Sequence, residues 1–205
     1  MKLARLLTIG AVLGLVSARS AAHEPGERVL LDATNIAFVY ESRAKFPPAM
    51  ETIAQLVSSD YRNGDQFTRH ELLPKIVPVI EEEIEHAEGI TDVVIKIQTG
   101  FKHFNFEAGG FPTSISDGSA MQLATGYVVV LDNADGAAII PTEVELAKKI
   151  SRMKPRPAFF LVKVQGTVGR AVEVSSQYET KNLHVSLTAI EVSLEDGTLV
   201  GRKDL

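Results

Sequence analysis

The sequence predicts an α+β fold, with N-terminal helices packed on a mainly antiparallel twisted sheet, one interrupting helix and a C-terminal β-meander. Three observations predict it. Apolar residues recur at helical spacing as far as Gly89, and from Ile90 the period changes to two. The stretch Ala158 to Gly201 is dense in β-branched and aromatic residues, alternates in polarity, and is punctuated by Gly and Asp-Gly.

The 205 residues open with a segment, 1–22, in which Lys2 and Arg5 precede an apolar run from Leu6 to Val16 and then small residues. That layout is a secretory signal peptide, the run being too short to span a bilayer. Cleavage fits after Ala18 or after Ala22, and Ala22 is favoured because it leaves the polar start His23-Glu24-Pro25. Residues 23–48 read as an N-terminal arm, with a short strand near Val29 to Leu31 and a helical turn or two near Asn35 to Arg43. Residues 49–205 then form a single domain of ordinary size.

In that domain Met50, Ile53, Ala54 and Val57 make the stripe of an amphipathic helix over Met50 to Ser59, broken by Tyr61-Arg62-Asn63-Gly64. Asp65 is placed to cap a helix from about Gln66 to Leu73. Pro74 and Pro78 each remove a helical hydrogen bond, so a second helix is expected to begin at one of them and end at Gly89. The first strand places Val93, Ile95 and Ile97 on one face, continues past Gly100 through Phe101, Phe104 and Phe106, and meets the loop Gly109-Gly110-Phe111-Pro112. A polar link through Ser119 leads to strands at Tyr127 to Leu131 and Ala137 to Ile140, joined by Asp132 to Gly136. Thr142 and Glu145 have capping-box spacing for a helix over Glu143 to Arg152. In the closing meander Phe160, Val162 and Val164 share a face, as do Leu183, Val185 and Leu187. The apolar set then moves to Ile190, Val192 and Leu194, a switch that demands a bulge or sharp twist near Ala189. Glu195-Asp196-Gly197 turns the chain into a last strand from Thr198 to Arg202.

The segment Tyr61 to Phe67, the proline-bearing acidic helix, Asn105 to Pro112 and the closing Leu183-x-Val185, Ile190-Glu191-Val192 and Asp196-Gly197 together resemble a group of exported bacterial proteins known as a domain of unknown function. The resemblance covers Met50 to the C-terminus. It implies a bacterial envelope origin and carries over no catalytic residue.

Composition narrows the partners. The chain has no cysteine, hence no disulfide and no lipid-bearing Cys at the cleavage site, which predicts a soluble periplasmic or secreted protein. Removal of Lys2, Arg5 and Arg19 leaves 18 basic against 26 acidic residues, a net charge of −8. Such a surface suits neither nucleic acid nor anionic lipid.

Candidate chemistry is sparse. Glu82 and His86 lie four apart on one helix but lack a third metal ligand, and Glu81, Glu83 and Glu85 beside them read as a solvated face. His70-Glu71 opens a zinc-protease motif whose second histidine is replaced by Pro74. Asp132 to Gly136 places Leu131 and Thr142 where a calcium loop needs its first and twelfth ligands. No Gly-x-Ser-x-Gly or Ser-x-x-Lys stands in a usable context, and Gly109-Gly110 lacks the Lys-Ser/Thr of a phosphate loop. No metal or cofactor is therefore expected. The remaining candidate is the aromatic segment Phe101, His103, Phe104, Phe106 and Phe111, either an edge of the core or a ligand platform, with the alternation of Phe104 and Phe106 favouring core. These readings point to a non-catalytic binding or interaction domain whose partner is an envelope protein or a small ligand. The alternative is a periplasmic hydrolase with dispersed catalytic residues.

Overall fold

The computed structural model describes residues 28–174 and 179–205; the segment read as a signal peptide lies outside the described residues. The fold is α+β. It begins with β1 (Val29–Leu30), followed by α1 (Asn35–Glu41), α2 (Met50–Val57), α3 (Ser59–Asn63) and α4 (Gln66–Ala87). Strands β2 (Asp92–Gly100), β3 (Gly110–Pro112), β4 (Ala120–Ala124) and β5 (Tyr127–Asp132) come next, then β6 (Ile139–Pro141) and α5 (Val144–Ser151). The meander closes the chain as β7 (Phe159–Val174), β8 (Thr180–Ser193) and β9 (Leu199–Asp204).

Seven strands form one sheet in the order β1-β2-β7-β8-β5-β4, with β9 also on β8, and β3 pairs with β6 apart from it. The sheet is mixed: four of its six strand pairings are antiparallel, while β1 runs parallel to β2, and β5 parallel to β8, two pairings that the sequence did not predict. Alternation along a strand looks the same in either orientation, and only a short turn between sequential strands enforces the antiparallel choice. β5 and β8 are joined through β6, α5 and β7, so no turn constrains them. One edge of β8 is divided: residues 181–186 pair with β5, and residues 189–193 pair with β9.

The face switch expected near Ala189 is present as a bulge. Gln165 faces Ala189 while Gly166 faces Leu187, leaving Thr188 extra, and both Ala189 and Ile190 are buried. Asn133, in left-handed backbone at φ 51°, serves the same spot: its side-chain amide accepts from Leu187 N (2.8 Å) and donates to Leu187 O (3.3 Å). The ladder between β5 and β8 is thus continued by a side chain where the backbones part.

Residues 29–43 have the local structure read from sequence and are built into the core. Ile36 through Glu41 are all buried, and the Arg43 guanidinium donates to the carbonyls of Val39, Ala87 and Ile90, tying the end of α1 to the end of α4. Asp65 caps α4 as expected, accepting from Thr68 N at 2.8 Å. The helix is then one piece of 22 residues through Pro74 and Pro78, not two. Both prolines are exposed and lie four apart on one face, so the carbonyls they leave unpaired point at water, while Ile76, Ile80 and Ala87 stay buried opposite. At α5 the expected capping box is not made. The Thr142 hydroxyl donates back to Ile140 O at 3.1 Å, Glu145 pairs with Lys148, and the helix starts at Val144. Strand β4 occupies what read as a polar link.

The small β3–β6 ladder is pressed so close to its neighbours that two positions tolerate no side chain. A Cβ at Gly110 would lie 2.2 Å from Ile140 O, and one at Gly201 of β9 would lie 2.3 Å from Pro141 O.

Candidate functional site

The aromatic segment proposed from sequence is divided by the structure. Strand β2 ends at Gly100, and from there the chain is irregular until Asn105, whose backbone bridges to Gly110 and whose Oδ1 accepts from Glu107 N and Ala108 N, both at 3.0 Å. The turn so formed faces Phe106 outward. Phe111 is 1% exposed and meets Phe160 edge to face with ring centres 5.3 Å apart; Phe101 and Phe104 are half-buried against Phe111 at 5.7 and 5.4 Å. Phe106 is 79% exposed, meeting Phe104 edge to face with ring centres 5.1 Å apart, and His103 is exposed. The sequence argument that placed Phe104 and Phe106 on one buried face fails because the period of two ends with the strand.

A pocket of about 280 Å³ lies elsewhere, where α1, the chain after it and the ends of β5, β7 and β8 meet. Sheet register builds its floor: Tyr127 of β5 and Glu173 of β7 both pair with Lys181 of β8, on opposite sides of it, so the three side chains form one row across the sheet. Glu41 enters this row from the last turn of α1. Its carboxylate, 1% exposed, accepts from the Tyr127 hydroxyl at 2.7 Å and pairs with Lys181 Nζ at 2.5 Å. The ammonium also faces the Tyr127 and Tyr40 rings, 5.2 and 5.7 Å from their centres, and those rings meet edge to face at 5.7 Å. Ala44, Phe46, Pro47 and Ala49 supply an apolar wall, while Glu173 and Glu179 stand exposed at the rim.

The electrostatics follow from burial. Tyr127 is held protonated far above the usual phenol range by burial, by its hydrogen bond to the Glu41 carboxylate and by that carboxylate's charge. Tyr40 is pushed up to about 12 by burial first, then by Glu173 and Glu41. Neither phenol supplies a base near neutral pH. The Lys181 ammonium and the Tyr127 hydroxyl both satisfy the buried Glu41 carboxylate, so the floor is a network of two donors on one acceptor.

Sequence reasoning missed Glu41, Tyr127 and Lys181 as a set. The available signal was Glu41 at the end of an otherwise apolar Ile36 to Tyr40: a short helix buried on every side must bury its charged residue too, and that residue must find a cation.

Other polar groups serve the scaffold or stand apart. His184 Nδ1 lies 3.0 and 3.1 Å from the two Asp132 oxygens on the other face of β8 and β5. No hydroxyl is hydrogen-bonded to the opposite ring nitrogen among the described residues, so the pair lacks the nucleophile of a triad. Asp132 thus pairs with His184, Asn133 with Leu187, and Asp135 Oδ1 accepts from Asp117 N at 3.0 Å, which accounts for the polar residues of the connector. His70 lines a broader groove of about 530 Å³ along α2 and α4, beside Phe67, which is 80% exposed. Among the described residues no three His, Asp or Glu side chains come together as a metal site, and no helix is long and apolar enough to cross a membrane. No protein-family model, curated protein or solved structure matches the chain.

Proposed function

We propose that this is an exported bacterial envelope protein that acts by binding a small ligand, and that the pocket floored by Glu41, Tyr127 and Lys181 is where it binds. One observation carries the reading: a concave site whose floor is a buried carboxylate held by Tyr127 and Lys181, and whose rim bears two carboxylates with no ion-pair partner among the described residues. A catalytic site needs a group poised to give or take a proton, and the tyrosines here are driven away from that condition. A binding site needs the opposite, a preformed wall that does not rearrange. The charged start and apolar run of residues 1–22, together with the resemblance to exported proteins, support export; intact-mass analysis of the mature protein is expected to show a start at His23 or Arg19, and retention of Met1 in a cytoplasmic species would end that part of the reading.

The pocket itself is tested by Thr52→Trp, an exposed position on its lining chosen so that the indole fills the cavity without touching the core. Ligand-observed NMR against a panel of small polar metabolites is expected to yield binders that the variant no longer holds. Binders retained in full by Thr52→Trp would place the ligand elsewhere.

A further inference from the structure

Resting on that reading, we infer that the pocket selects a small organic cation, an ammonium or guanidinium group carrying a short apolar chain. Charge decides the sign. Among the described residues Glu41, Glu173 and Glu179 line the site against a single cation, Lys181, whose ammonium is paired with Glu41. The carboxylates of Glu173 and Glu179 have no ion-pair partner among the described residues and leave the mouth of the pocket negative. Register aims one of them inward: Glu173 is the direct cross-strand neighbour of Lys181, on the face that carries the pocket.

Aromatic surface supplies the second half of the argument, since acidity alone would fit any counterion. The floor already shows how this site holds an ammonium, with Lys181 over the faces of Tyr40 and Tyr127 and a carboxylate beside it. The outer part of the cavity offers the same kinds of group in Phe46 and the two rim carboxylates, which among the described residues have no cation of the protein's own. Ala44, Pro47 and Ala49 offer nothing to hydrogen-bond and suit a hydrocarbon chain. An anion entering the same mouth meets two unpaired carboxylates before it reaches an ammonium already neutralised. The volume, about 280 Å³, sits at the small end for ligand sites and limits the guest to a compact molecule.

The test compares three probes of equal length and different charge, cadaverine, 1,5-pentanediol and glutarate, by titration calorimetry and by chemical-shift mapping on the full mature chain. Cadaverine is expected to bind with shifts at Tyr40, Thr125 and Gly126, to lose at least tenfold in affinity in Glu173→Gln/Glu179→Gln, and to be excluded by Thr52→Trp. Both glutamates are exposed, so the double variant keeps its fold, checked by its unchanged spectrum. Pentanediol or glutarate binding as tightly as cadaverine, with Thr52→Trp still blocking, overturns the cation assignment and leaves the pocket standing. Cadaverine binding that Thr52→Trp does not disturb is counterion condensation on an acidic surface and also overturns it. Silence of the pocket resonances towards every probe removes the cation assignment and counts against the pocket as well.

Discussion

Lys181→Met is the most informative single change, because it removes the cation and keeps much of the volume. Glu41 is then a carboxylate 1% exposed with only the Tyr127 hydroxyl to solvate it. Breaking a buried pair from one side costs about 3–5 kcal/mol, most of it the penalty of the charge left behind. Glu41→Gln is milder, about 1–3 kcal/mol, since the amide oxygen still accepts from Tyr127 and the Lys181 side chain, 19% exposed, retains a path to water. The double variant removes both charges and is expected to be more stable than Lys181→Met alone, a coupling of about 1–3 kcal/mol by double-mutant cycle. Urea unfolding followed by circular dichroism measures all four proteins, with a constant m-value as the check that the denatured state is unchanged. A Lys181→Met variant within about 0.5 kcal/mol of the wild type, or strictly additive single changes, would refute the picture of a buried carboxylate held by one ammonium.

The aromatic segment separates by burial: Phe111→Ala is expected to cost about 3–5 kcal/mol, whereas Phe106→Ala moves stability by less than about 0.5 kcal/mol, and equal effects in thermal melts would contradict their different exposure. Gly201→Ala forces a Cβ into Pro141 O and is expected to destabilise by about 1–3 kcal/mol, with Gly197→Ala in the exposed turn as the comparison for backbone strain without a clash. Spectrophotometric titration at pH 11 should fall short of the unfolded chain by nearly two of its four tyrosines, Tyr40 and Tyr127. Their raised values mean that the stability they confer is whole below the unfolded phenol value near pH 10 and is lost as pH rises through the folded ones. Asp65→Asn reads the opposite sign. The Thr68 amide holds the Asp65 carboxyl below its ordinary value, so the Tm gap to wild type is expected to be constant from pH 7 to about 5 and to close below about pH 4.

Local rules carried the reading of this chain where the answer is local. Asp65 announces a helix start by its own side chain, and the shift of apolar residues from Leu187 to Ile190 contains the bulge, because nothing but an extra residue reverses a face. The same rules failed where the deciding partner is distant or is solvent. Pro74 and Pro78 look like helix breaks until it is known that their face of α4 meets water. Phe106 looks buried until the turn at Asn105 is seen to cancel the alternation. Strand orientation escaped for a related reason, since Tyr127 and Lys181 alternate identically whether β5 and β8 run together or opposed. The pocket is the extreme case: three residues on α1, β5 and β8, none part of a motif, acquire meaning only in register.

Glu41 and Lys181 are 140 positions apart, and the row they close is completed by one of the last strands in the chain. The site is therefore a property of the finished molecule and has no partial form. A chain emerging from its N-terminus presents Tyr40 and Glu41 long before anything can neutralise or shape them, and contacts of such sequence separation are among the slow ones to close. Any ligand of this pocket recognises only chains that have completed the β7–β8 pairing, and its binding energy is added to the folded state alone. Ligand supply would then set how much of the protein survives, as well as how much of it is occupied.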